Sequence, residues 1–143
     1  MDEVRERALD AAAKALARRA LSRAALEARL AGVAPADVCE AVVNDLERLG
    51  YVDDEALAVA LAEQRLASGW GPARVEADLE RLAVGESATR AGVRAAEAGE
   101  EAAARTLLAS RAAAGRTQAQ RLGLLARRGF SADAAESVLG VLD

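Results

Sequence analysis

The side chains able to do chemistry in this chain are carboxylates and arginines. Histidine is absent, which removes imidazole acid–base catalysis, Ser-His-Asp triads and histidine metal sites. The single cysteine, Cys39, has no partner for an internal disulfide or a cysteine zinc site, a usage that fits a reducing cytoplasm. It stands beside Val38, Ala41 and Val42 in a helical pattern, where a small buried hydrophobe is the expected role. Asp53 and Asp54 are the best-placed pair of carboxylates, but no base, ligand set or phosphate loop accompanies them. They read instead as a helix-capping pair that also holds Arg65. Neither GxxxxGK[ST] nor GxGxxG occurs. The expectation is a protein that is not an enzyme and needs no cofactor or metal.

Arginine offers more. Eighteen of the nineteen basic residues are Arg, whose planar fork suits bidentate contact with carboxylate or phosphate. Seven of them recur beside helix junctions as candidate contact groups: Arg18, Arg19 and Arg23, then Arg65 and Arg74, then Arg127 and Arg128. Trp70, the only tryptophan, lies between Gly69 and Gly71 and suits either an interface anchor or a core plug. The net charge is −4: residues 51–98 carry five Arg against nine acids, and residues 99–143 six Arg against five. That balance argues against gripping naked DNA by phosphate neutralisation and is compatible with a protein-led contact supplemented by local arginine clusters.

The elements that must carry these residues are helical. Of 143 residues, 52% are hydrophobic and 29% charged, which excludes both a disordered chain and a membrane protein. Aromatics make up 2% and prolines number two, while 39 residues are Ala, so the fold class is all-α with a core resting on Leu and Val. The charged start, Met1 to Arg7, leads to no signal-length apolar core, and no stretch approaches the ~20 apolar residues of a membrane span. A soluble cytoplasmic location is expected.

Nine helices are predicted from spacing and punctuation. The first carries Ala8, Leu9, Ala12, Ala13, Leu16 and Ala20. Ser22 caps a second with Leu26 and Leu30, closed by Gly32. Pro35 belongs to the first turn of a third with Val38, Val42, Leu46 and Leu49, ending at Gly50. A fourth, with Leu57, Ala60, Leu61 and Ala67, follows the Asp53-Asp54-Glu55 run and ends at Gly69. Pro72 opens a fifth with Val75, Leu79 and Leu82. A weak, Ala-rich sixth spans 86–97 with Gly92 inside it, and a seventh runs from 101 to about 114. Thr117 caps an eighth with Leu122 and Leu125, ended by Gly129. Ser131 caps a ninth with Val138, Leu139 and Leu142.

These helices fall into an internal repeat of about 46 to 49 residues. With Ser22, Gly71 and Thr117 in register, Leu30, Leu79 and Leu125 coincide eight residues later. Val84 and Phe130 follow that leucine by five residues, whereas Val33 follows by three, implying a two-residue deletion. Arg121 occupies the place of Leu26 and Val75, so Leu122 is expected to take over that contact. The implied units are 1–50, 51–98 and 99–143, stacked end to end in an elongated molecule.

Certain residues carry a resemblance. Tyr51-Val52-Asp53-Asp54-Glu55-Ala56-Leu57-Ala58, then Arg65, Gly69-Trp70-Gly71-Pro72-Ala73-Arg74-Val75 and Leu79 resemble the central signature of the RecX family of recombinase regulators. Ala17-Arg18-Arg19 with Ser22 to Leu26 is similar to the family's first-repeat pattern, and Leu125 to Ser131, including Gly129 and Phe130, to its third. Departures are Ala25 in place of a capping Glu, Leu57 in place of an aromatic, Ala83 in place of a Gly, and an Ala-rich stretch over 85–99. The resemblance implies three tandem three-helix repeats and a monomer that binds the RecA recombinase along the groove of its filament on DNA. It further implies inhibition of strand exchange, ATP hydrolysis and repressor cleavage, with a secondary DNA contact within the filament and no membrane partner. Arg18, Arg19, Arg23, Arg65, Trp70, Arg74, Arg127 and Arg128 are then the candidate partner contacts. Asp53, Asp54, Gly69, Gly71, Gly129 and Phe130 are the structural signature. Two other readings stand beside it: a helix-turn-helix DNA-binding regulator, disfavoured by the negative charge, and a helical-repeat scaffold for another protein.

Overall fold

The computed structural model describes residues 2–140. Among them eight α-helices form and no strand. They are α1 (Asp2–Arg18), α2 (Arg23–Leu30), α3 (Ala36–Arg48), α4 (Asp54–Ala67), α5 (Pro72–Leu82), α6 (Glu86–Leu108), α7 (Gln118–Arg127) and α8 (Ala132–Leu139), with a 3-10 turn at Arg111–Ala113. Leu142 of the predicted last helix lies outside the described residues.

Side-chain caps start many of these helices where the sequence places them. The hydroxyls of Ser22, Thr117 and Ser131 and the carboxylate of Asp53 accept from the backbone N–H three residues on, satisfying donors that a helix start leaves open. Thr117 and Gln120 complete a reciprocal capping box, which Ala25 denies to Ser22. Pro35 stands one residue before α3 rather than in its first turn. Three helix ends share one device. Gly50, Gly69 and Gly129 adopt φ of +88°, +86° and +87°, and the next residue's N–H bonds back to the carbonyl five residues earlier. Those next residues are Tyr51, Trp70 and Phe130, the only aromatic side chains in the chain.

Three hydrophobic clusters follow one another along the chain. The first joins Ala8, Ala12 and Ala15 of α1 to Leu26, Leu30, Val42, Val43 and Leu46. Here α1 turns Ala15 inward, while Leu9 and Ala13 of the predicted stripe face solvent. The second joins Ala58, Ala62, Val75, Leu79, Val84, Ala88 and Ala96, and the third Ala104, Leu107, Ala113, Leu124, Leu125, Phe130 and Ala135. Leu30, Leu79 and Leu125, equivalent by the repeat, are each fully buried. Leu122 does not take over the contact left by Arg121: it is exposed, and Leu124 with Leu125 fills the third core.

The predicted sixth and seventh helices are one. α6 runs 23 residues from Glu86 to Leu108 without a break at 98/99. Gly99 does not interrupt it, because a glycine costs only about 1 kcal/mol in a helix that tertiary packing supports. A Cβ on Gly92 would come within 2.5 Å of Leu79 and 3.0 Å of the Ala58 carbonyl, so small residues there permit close approach to α4 and α5. α6 therefore serves two clusters: its Ala88 and Ala96 join the second, with α4 and α5, and its Ala104 and Leu107 the third, with α8. The whole exposes 8607 Å², against about 7,000 Å² for a compact monomer of this mass, as a row of small cores should. Among the described residues, no helix is long and apolar enough to cross a membrane.

Candidate functional site

The second and third clusters meet backbone to backbone. The Gly71 N–H donates to the Arg128 carbonyl at 2.7 Å, and the Ala73 N–H to the Gly129 carbonyl at 3.1 Å. A Cβ on Gly71 would sit 2.5 Å from the Gly129 oxygen, and one on Gly129 2.9 Å from the Arg74 nitrogen. Side chains at either position would force the two turns apart. Their closeness sets the surroundings of Trp70, on the turn between α4 and α5.

Trp70 is half-buried and braced by two arginines from different clusters. The Arg74 guanidinium lies 4.2 Å from the centre of the ring and that of Arg128 4.6 Å, both within cation–π range. Arg128 also donates to the Gly69 carbonyl at 3.3 Å. Trp70 is thus neither a core plug nor a free anchor, but the centre of a stacked arginine–tryptophan group at a junction.

Asp78 of α5 lies beside this group, its side chain only 6% exposed. Its carboxylate accepts from Arg65 Nε at 2.7 Å, from Arg74 Nε at 3.0 and 3.1 Å, and from Arg81. A carboxylate removed from water needs such charge-assisted donors. Three cations more than balance one anion. Three arginines surround Asp78 and a fourth, Arg128, lies against Trp70, on a chain whose net charge is −4.

Of the sequence-predicted contacts, the fold brings together Arg65, Trp70, Arg74 and Arg128. Arg127 is exposed on the last turn of α7. Arg18 and Arg19 lie exposed at the end of α1, in the first cluster. Arg23 is tied down there by Asn44 at 2.7 Å and Glu47 at 3.0 Å. Neither acid of the Asp53-Asp54 pair holds Arg65. Asp53 caps α4, and Asp54 accepts the Arg23 N–H at 2.8 Å, joining the first cluster to the second. Asp78 and Arg81 are the members that sequence reasoning missed. Their signal was a carboxylate three residues after Val75, on the buried side of α5, with arginines at −4 and +3. Among the described residues, no group of three His, Cys, Asp or Glu is placed to hold a metal ion.

Known proteins resemble this chain in sequence and in fold. "Regulatory protein RecX" of Thermobifida fusca is 42% identical over 107 residues, covering 68% of this chain and 57% of its own. "Regulatory protein RecX" of Thermus thermophilus is 44% identical over 70 residues, 49% of each chain. The chain spans about half the length of the curated relatives it matches. The crystal structure of RecX from Lactobacillus salivarius superposes with a TM-score of 0.79 at 18% identity, over 97% of this chain and 96% of that one, a likeness of fold. No family model matches.

Proposed function

We propose, from the premise that this chain is a relative of the RecX regulatory proteins, that it binds the RecA recombinase in its filament on DNA and restrains it. The observation that carries this reading is the arginine–tryptophan group. It is a cationic, partly aromatic surface on an acidic chain, with the arginine and tryptophan enrichment of an interface hot spot. Binding, not catalysis, is the mode of action. A monomer lies along the filament groove, with Arg65, Trp70, Arg74 and Arg128 as central contacts and Arg18, Arg19, Arg23 and Arg127 as outer ones. DNA is touched secondarily, inside the filament. The consequences in this reading are inhibited strand exchange, ATP hydrolysis and co-protease activity, and the chain acts in the cytoplasm as a regulator of homologous recombination, DNA repair and the SOS response.

The test is retention on RecA filaments assembled on single-stranded DNA, with the bare strand and free RecA as controls. Retention on the filament, with slowed ATP hydrolysis, is expected. Retention on bare DNA alone would favour the helix-turn-helix reading, and on neither the scaffold for another protein.

A further inference from the structure

We infer that Asp78 is a positioning residue, which holds Arg65 and Arg74 in the orientation that makes Trp70 and its arginines a preformed binding platform. The inference rests on the partner reading above only for its binding arm. Its structural arm concerns the chain alone.

The geometry is specific. Asp78 engages Arg65 and Arg74 through Nε, the donor nearest the stem of each guanidinium. A guanidinium carries five N–H donors in a rigid fork. A hold at Nε fixes its plane while leaving the terminal amino groups to others. On Arg65 one of these reaches Gln64 at 3.4 Å, and on Arg74 none has a partner among the described residues. The central guanidinium carbon of the same Arg74 lies over Trp70, 4.2 Å from the centre of its ring. One buried oxygen pair therefore orients two forks from two helices and, through one of them, shields an indole.

Without that hold, two long side chains would sample many rotamers in the free protein and would have to be ordered on binding. A carboxylate serving only to neutralise a core charge would not be surrounded by three arginines whose heads reach the surface. The Arg65, Arg74 and Arg81 side chains are 29%, 37% and 69% exposed. They keep access to water when Asp78 is changed, so the fold can tolerate the loss.

The test compares D78N with E80Q, which removes the same charge from the exposed side of α5. Two readouts apply: acrylamide quenching of Trp70 fluorescence in the free chain, and affinity for RecA filaments on single-stranded DNA. D78N should keep its helical circular dichroism, make Trp70 distinctly more quenchable, and weaken filament affinity by about tenfold, the scale of ordering two arginines on binding. E80Q should change neither. Should D78N fail to fold, the pair R65K and R74K keeps Asp78 and the charge but loses the fork, and the same two shifts are expected. Unchanged quenching in a folded D78N would overturn the positioning role. Increased quenching with unchanged affinity would leave the positioning role standing and overturn the assignment of this platform to the partner.

Discussion

Asp45 shows how single side chains tie these small bundles together. Arg5 of α1 donates to it across to α3, and Arg48 adds a second bond at 3.0 Å, so its carboxyl is held below the ordinary carboxylate value. The Ser137 hydroxyl, then Arg105, do the same for Glu101, linking α8 to α6. Both groups bind a proton less tightly folded than unfolded. Their contribution is therefore complete above the ordinary carboxylate value and lost as pH falls through the lowered one. The urea midpoint should drop on acidification through that window, and Arg5→Gln should flatten the part owed to Asp45. Arg18 and Arg19 tie nothing of this kind. Their joint reversal to Glu should change stability by no more than ~0.5 kcal/mol, the usual range for surface sites, yet lower inhibition of filament-dependent ATP hydrolysis. Unaltered inhibition would reduce the pair to a solvated face. The difference between these residues explains what was legible. Arg65, Trp70, Arg74 and Arg128 could be singled out because glycine turns and helix ends mark their places. Asp78 could not, because its role depends on an arginine thirteen residues away that comes within reach only when α4 and α5 pack.

At the scale of elements, punctuation is what the chain spells out most clearly. Ser22, Asp53, Thr117 and Ser131 cap the helices expected of them, because a cap is a local bond within four residues. The strength of α6 was hidden for the opposite reason. A stretch of Ala and Gly reads as weak when judged by the area it can bury, but its merit is the close approach it allows. Gly92 sits against Leu79 and the Ala58 backbone, and the helix continues into the third cluster. The amides around Gly92 should accordingly exchange as slowly as those around Leu79, the reverse of what its composition predicts. Gly92→Ala improves helix propensity yet should destabilise by ~1 to 3 kcal/mol through overpacking, measured by denaturant unfolding. Fast exchange through residues 88–96, or stabilisation by that substitution, would show that the close packing of α6 against Leu79 and Ala58 does not hold in solution.

The molecule as a whole is unequally jointed. The second and third clusters share α6 and a pair of backbone hydrogen bonds, whereas the first packs within itself and joins the second through the Gly50–Asp53 link, Arg23 to Asp54 and Ser22 to the Leu82 carbonyl at 3.4 Å. The charge of such a chain decides what its surface can hold. A grip that neutralises 6 to 10 phosphates loses roughly 10³ to 10⁵ in affinity between 50 and 200 mM salt. This chain carries −4 overall, and four of its eighteen arginines, Arg65, Arg74, Arg81 and Arg128, are engaged with an indole or a buried acid. Filament binding led by the Trp70 platform should therefore fall only modestly over that range, since stacked and desolvated contacts are screened less than exposed ones. Trp70→Ala should weaken it more than the loss of Arg127, which lies exposed at the rim. Because Trp70 is the only tryptophan, its fluorescence reports the titration directly in the unmodified chain. Parallel titrations with filament and with naked single strand at two salt concentrations separate the cases. Tight, steeply salt-dependent binding to the naked strand would mean that phosphate, not protein, is what the arginines seek.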